Sequence, residues 1–300
     1  MENLYHLNIQ TDLKKTLYNN HMNYETKLLQ PYEVSRAVYR CESIERKLLY
    51  YAALLVQSVP KGEKYYGYVA NFKIGEFLKC LGMSNRGGDI RRQIKEAVKT
   101  IATNTITLYE DEKHLDVMTW LRRGIYDEDN DNIVLIFSED VGRLFVECKD
   151  KFSLIDPKVI GSLKSYYSMR YYEIALSYKG LKGHYGNDKN TWWFSYSLPE
   201  LRTIFKVTGY TYTGGTQDFL KKIVQSPIQE LNRFNQDFQI SIQKIQDEKD
   251  RRKLASIKFI CTQNQQTLAQ RRTRTSTEVN EYSEYLAQGG DLMKLITPQA

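Results

Sequence analysis

The chain has 300 residues, 41% of them hydrophobic and 26% charged, with a formal net charge of +7. That is enough apolar material for a real core, and at roughly 150 residues per domain the length predicts two domains, which excludes a disordered or fibrous chain. No stretch reaches the roughly 18 uncharged apolar residues of a membrane helix, and Met1 to Asp12 lacks a signal peptide's basic start and apolar centre, so a cytoplasmic protein is expected.

Residues 1–27 and 262–300 are polar with little apolar periodicity and are expected to be flexible. The body between them shows one order of elements twice, in units spanning 28–150 and 151–261. In the first unit, Ser43 to Val59 has helical apolar spacing. Phe72 to Leu81 predicts a short helix closed by Gly82, and a turn at Met83 to Gly88 leads into a helix over Asp89 to Ala102. Alternating runs then predict strands at Thr105 to Tyr109, Leu115 to Arg122 and Asn132 to Phe137, separated by acidic turns at Glu110 to Lys113 and Asp127 to Asp131.

In the second unit, Ser165 to Ser177 predicts a helix, Trp192 to Tyr196 a strand, and Leu198 to Phe205 a helix with Pro199 in its first turn. A long helix follows over Thr216 to Phe234. A hairpin, Phe238 to Ile245 and Ala255 to Ile260, closes around the charged tip Asp247 to Lys253. Helix, helix, turn, helix and hairpin, stated twice, predict an α+β protein of two tandem winged-helix domains.

The charge is unevenly placed: residues 1–150 sum to −1 and residues 151–300 to +8. A basic half beside a neutral one is the footprint of a phosphate-binding surface, with a merely soluble basic face as the alternative. On a helical wheel, Ile90, Ile94, Ala97, Val98 and Ile101 share one arc, Arg91, Arg92, Lys95 and Lys99 fill the next, and Asp89 and Glu96 fall away from that basic stripe. The same wheel buries Phe219, Leu220, Ile223, Val224, Pro227 and Leu231, and turns Gln217, Lys221, Lys222, Gln225 and Asn232 outward. Glutamine amides pair both polar edges of adenine and lysine reaches guanine or phosphate, so this face suits base reading in a major groove. Pro227 would bend or end an ordinary helix, which places the reading portion before it. Tyr210, Thr211, Tyr212 and Thr213 stand just ahead as phosphate hydrogen-bond donors. Lys249, Arg251, Arg252 and Lys253 form a wing tip placed to follow the backbone or enter a minor groove, with a solvated turn as the alternative.

Other chemistries find no support. Asp127, Asp129 and Asp131 begin like a calcium loop, but Asn132 stands where glycine is needed and Ser138 where the bidentate glutamate belongs. No segment has the Gly and Lys spacing of a P-loop, and His6, His21, His114 and His184 are scattered. Cys41, Cys80, Cys148 and Cys261 lack the paired spacing of a zinc cage or disulfide framework and are expected as reduced, mostly buried residues. Tyr50, Tyr51, Tyr171, Tyr172, Trp192 and Trp193 are expected in cores. No catalytic residue, metal or cofactor is expected.

The chain resembles the iteron-binding plasmid replication initiators, a family of tandem winged-helix proteins, over roughly Leu28 to Cys261. The resemblance rests on the run Lys164 to Glu173 (KSYYSMRYYE), on Phe219 to Val224 (FLKKIV) followed by Pro227 to Asn232 (PIQELN), and on Phe72 to Gly82 with Val117 to Trp120 and Ile133 to Ser138. It implies double-stranded DNA with directly repeated origin sites as the ligand, opening of an adjacent AT-rich segment, recruitment of host initiator and helicase proteins, dimerisation through the first domain, and repression of the chain's own promoter. It also implies that Lys221 and Lys222 read one end of the repeat while Arg91, Arg92 and Lys95 grip the other. Many relatives carry arginines where Lys221 and Lys222 stand, and lysine lacks the bidentate fork. A winged-helix repressor without initiator activity, and a nicking enzyme, are the alternatives.

Overall fold

The structure, a computed structural model, describes residues 27–58, 68–82, 88–148, 150–181, 183–184, 190–207, 215–248, 250 and 253–264. Strand β1 (Leu28–Pro31) leads into a short helix, α1 (Tyr32–Arg36), and then α2 (Ser43–Ser58), which is buried continuously from Glu45 to Val56. A helix enclosed on all sides marks the centre of a core. Strand β2 (Val69–Lys73) precedes α3 (Ile74–Cys80) and α4 (Gly88–Ile101). Phe72 and Lys73 thus lie in a strand rather than the expected helix, because β2 finds a long apolar partner in Asn132 to Phe137. Pairing of this kind overrides the helical spacing of a short run. Gly82 closes α3 as expected, with φ at +63°.

Strands β3 (Thr105–Glu110) and β4 (Leu115–Thr119) form one hairpin, and β5 (Leu121–Asp127) and β6 (Asn132–Phe137) another. The run Leu115 to Arg122, expected as one strand, is therefore two. The chain turns at Trp120, whose fully buried indole meets the Tyr39 ring edge-on at 5.2 Å. Burying that ring outweighs continuing the ladder. Helix α5 (Glu139–Val146), strand β7 (Phe152–Ile155) and helix α6 (Pro157–Ser162) follow. β7 returns to pair with β1, Leu28 opposite Ile155 and Pro31 opposite Phe152.

Helix α7 (Tyr166–Tyr178) is capped by Ser165, and strand β8 (Thr191–Tyr196) leads to α8 (Leu198–Ile204). Ser197 and Glu200 form a reciprocal capping box at the start of α8, and Pro199 occupies its first turn. Helix α9 (Gly215–Phe219) passes through a π-helical turn, Leu220–Gln225, into α10 (Ser226–Phe234). Strands β9 (Phe238–Gln246) and β10 (Leu254–Gln263) complete the fold, β10 running two residues beyond Cys261.

The two sheets have equivalent orders, β2-β6-β5 and β8-β10-β9. In each, the strand between the early helices pairs with the second wing strand, which pairs with the first. The architecture is two tandem winged helices, with β3 and β4 inserted between α4 and the first wing. Tyr50, Tyr51, Tyr171, Tyr172 and Trp192 lie in the cores as expected, and Trp193 is partly buried. All four cysteines are free thiols, three of them buried. Among the described residues no helix is long and apolar enough to cross a membrane.

Helix α7 ties the units together. The Glu173 carboxylate, with no exposure, accepts from Arg46 Nε at 2.8 Å and from Arg170 Nη1 at 2.6 Å. Gln30 Nε2 and the Tyr39 hydroxyl each donate to its Oε2 at 2.9 Å. Arg46 also donates to Gln30 Oε1, Arg170 to the Ala37 carbonyl, and the Arg46 guanidinium lies 4.3 Å from the Tyr50 ring centroid. Burial would raise the Glu173 carboxyl, but the two guanidiniums outweigh it and hold it at about 2. This carboxylate therefore contributes stability above the ordinary glutamate range, and the contribution is lost as pH falls from about 4.5 toward 2. Glu173→Gln should cost about 3–5 kcal/mol of unfolding free energy in urea at pH 7, and should flatten the loss of stability over that acid interval. A variant as stable as the wild type would refute the role.

Candidate nucleic-acid interface

In the first unit, α4 carries the expected basic stripe on a helix whose Ile94, Ala97, Val98 and Ile101 are buried. Arg91 reaches the tip of the first wing and pairs with Asp131 at 2.5 Å. Arg92 pairs with Asp89 at 2.6 Å and Lys99 with Glu96 at 3.9 Å. The two acids thus do not fall away from the stripe. Residues three apart are neighbours on a helix surface, which a wheel viewed end-on understates. Lys95 lies 5.8 Å from the Tyr126 ring centroid. The wing tip is acidic, and within it the Asp127 carboxylate accepts from the Asn130 backbone N–H at 3.1 Å and side-chain amide at 2.7 Å. Arg122 and Arg123, exposed on β5, were not singled out from the sequence. β5 lies close along α4, since a side chain at Gly124 would strike Val98.

In the second unit, Phe219, Leu220, Ile223, Val224, Pro227, Ile228 and Leu231 are buried, while Gln217, Lys221, Lys222 and Gln225 are exposed. Those four side chains therefore share one exposed face of a continuous helix. Lys222 also pairs with Asp218 at 3.0 Å, one turn earlier. Asn232, expected outward, is instead half-buried: its Nδ2 donates to the Ile240 carbonyl and its Oδ1 accepts from Ile240 N–H, both at 2.8 Å. A side-chain amide satisfies both polar groups of that strand residue, which an outward rotamer would leave unmet. Pro227 does not end the helix. The π turn opens the ladder just before it, Ser226 N–H bonding the Lys221 carbonyl, so the missing proline N–H and the bulk of its ring are accommodated.

Lys253 is exposed at the base of the second wing, with Asp250 at 3.6 Å. Lys249, Arg251 and Arg252 lie outside the described residues, as do Tyr210, Thr211, Tyr212 and Thr213.

The helix from Gly215 to Phe234 is bolted at its far end. The Glu230 carboxylate accepts from Lys164 N–H at 2.8 Å, Ser165 N–H at 3.1 Å and the Ser168 hydroxyl at 2.5 Å, at the start of α7. Lys47 of α2 donates to the Gly161 carbonyl at 3.0 Å, and burial lowers its ammonium to about 8 against the opposing pull of Glu230. The run KSYYSMRYYE therefore supplies both the anchor for this helix and the charged seam between the units. Arg170 and Glu173, three apart inside a tyrosine-rich run, were the available sequence signal. Glu230→Ala should cost about 1–3 kcal/mol, read as a lowered urea midpoint with an unchanged slope, because three donors lose their acceptor. An unchanged midpoint would mean water replaces the carboxylate without cost.

Residues 27–176 match the family described as Initiator Replication protein, WH1. The solved structure of the Pi initiator protein in complex with iteron DNA is similar over 81% of this chain and 99% of that chain, at 17% identity and a TM-score of 0.61. A solved structure of domains 2 and 3 of RctB aligns with 73% of this chain and 82% of that one, at 13% identity and a TM-score of 0.42. No curated protein sequence matches. With half its length matching the family, the chain belongs to the initiator replication proteins.

Proposed function

We propose that the chain initiates plasmid replication by binding directly repeated duplex sites at an origin, opening the neighbouring AT-rich DNA and recruiting the host's initiator and helicase proteins. It acts by binding rather than catalysis, and by occupying sites near its own promoter it also represses its synthesis. The observation that carries this reading is the face of α9 and the π turn. Gln217, Lys221, Lys222 and Gln225 stand exposed on a helix whose other face is buried, in a family of replication initiators. The Pi initiator, whose fold this chain shares, was solved with iteron DNA. The first unit grips the other end of the repeat through Arg91, Arg92, Lys95 and Lys99. On contact with phosphate Arg91, Arg92 and Lys99 exchange their carboxylate partners, so binding there is weaker than unpaired cations would give.

The chain also associates with a second copy through the first unit. Tyr109, Leu115 and Val117 on the β3–β4 hairpin are 55%, 62% and 45% exposed, and the outer edge of β4 has no partner strand among the described residues. An apolar open edge of this kind is a template for pairing. Val117→Lys should shift sedimentation toward the monomer and leave affinity for one repeat intact, whereas an unshifted profile would place self-association elsewhere.

The test of the main reading is a gel-shift titration on tandem origin repeats against random duplex at two salt concentrations. A ladder of discrete complexes that survives higher salt is expected, and smeared, salt-sensitive binding alone would overturn the proposal. Lys221→Ala or Gln225→Ala should cost about 1–3 kcal/mol of repeat binding. Arg251→Ala or Arg252→Ala should weaken all duplexes alike and flatten the salt slope by about one unit. Equal losses on repeat and random duplex for Lys221→Ala would refute base reading there.

A further inference from the structure

Burial along the reading helix repeats every four residues without drift. Phe219 and Leu220, Ile223 and Val224, Pro227 and Ile228, and then Leu231 are inside; Lys221 and Lys222, Gln225 and Ser226, and Gln229 are outside. An ordinary α-helix cannot sustain that repeat. Each step of four residues overshoots a 3.6-residue turn by about 40°, so the three steps from Phe219 to Leu231 would carry the apolar line about 120° round the helix. The π turn removes the excess. One widened turn absorbs about one residue, or about 100°, and returns the segments on either side to a common face. Its position is set by Pro227, which has no N–H to give the Ile223 carbonyl and whose ring would clash with it in an α register.

The outward line obeys the same arithmetic. Gln217, Lys221, Gln225 and Gln229 are spaced by four, and all four are exposed. In a regular α-helix Gln229 would stand about 120° from Gln217, off the reading face; with the π turn the four fall within about 20° of one line. Glu230, the next residue, turns the other way to hold the start of α7. We infer that Gln229 is a further base-reading residue and that the reading surface extends past Pro227. A glutamine there offers the paired donor and acceptor that recognise adenine in the major groove. The inference rests on the initiator reading and adds a specificity determinant to its site.

The test compares the full chain and Gln229→Ala on three ligands: the origin repeat, a set of repeats each changed at one base pair, and random duplex of equal length. Gln229 is exposed and bonds to no other described residue in the interactions above, so the variant should keep the wild-type thermal midpoint. Its preference for the repeat over random duplex should fall about tenfold, with random-duplex affinity unchanged and one base-pair position newly tolerated. A preference equal to the wild type's overturns the inference, and so does an equal loss on repeat and random duplex, which would make Gln229 a general contact. If Gln229→Ala lowers the thermal midpoint, Gln229→Glu decides. It keeps the side chain's length but repels the electronegative base edge, so retained preference overturns the inference and lost preference supports it. A wild-type chain with no preference for the repeat would bring down the initiator reading itself, an outcome separate from a discriminating wild type beside an unaffected Gln229→Ala.

Discussion

A carboxylate without access to water, gripped by two guanidiniums that also lack it, stands where the two winged helices meet. Glu173 and Arg170 come from α7, while Arg46, Gln30 and Tyr39 come from the first unit, so this docking of the halves adds a second guanidinium and two neutral donors to the Glu173 carboxylate. Replacing such a cluster with apolar residues of the same volume is often neutral for stability. What an apolar seam would lose is uniqueness, since hydrophobic contacts are non-directional and tolerate sliding, whereas sliding this network would break its directional hydrogen bonds. Under the proposed function, a protein that reaches two stretches of one duplex needs that fixed placement more than it needs the last increment of stability. The β1–β7 pairing and the Arg36 contacts to Ser177 and the Tyr178 ring add further ties across the same seam.

The two units use charge differently. On α4 three of the four cations already have carboxylate neighbours, one of them on the acidic first wing, and the half of the chain that holds them is nearly neutral. Under the proposed function, those three cations engage phosphate only by exchanging partners, which suits contacts that adjust affinity and position. The second unit sits in the half of net charge +8 and presents amides and lysines together on a buried-backed helix. Amides carry no net charge and contribute through directional hydrogen bonds, so the proposed function puts discrimination between sequences there and general attraction on the surrounding cations.

Much of this was legible in the residues. The elements with long periodic runs, α2, α4, α7 and the helix from Gly215 to Phe234, follow from apolar spacing, and the repeated order of helices and hairpins gave the tandem architecture. What escaped was what depends on partners far away in sequence. β1 and β7 are four residues each and make sense only paired. The break at Trp120 reflects a pocket built by Tyr39, and the inward turn of Asn232 reflects the strand residue it satisfies. Arg92 and Lys99 were placed on the right face, but their pairing with acids three residues away was missed because a wheel separates what a helix surface brings together. The π turn was written plainly as an unbroken four-residue repeat, yet a wheel drawn at 100° per residue spreads that repeat over a broad arc and so conceals it.

The reading helix joins these themes. Its near end presents the exposed amide and lysine line, its middle opens to admit Pro227, and its far end is fastened by Glu230 to the first turn of α7, the helix that carries Glu173 two turns later. Lys47 of the first unit lies in the same cluster through the Gly161 carbonyl and the field of Glu230. A torque on the base-reading end is therefore transmitted to the charged seam through a short, packed and hydrogen-bonded route. The exposed line and the buried seam use different side chains on one connected scaffold, so Glu230 and its neighbours, which touch both, are where changes at the two ends would couple.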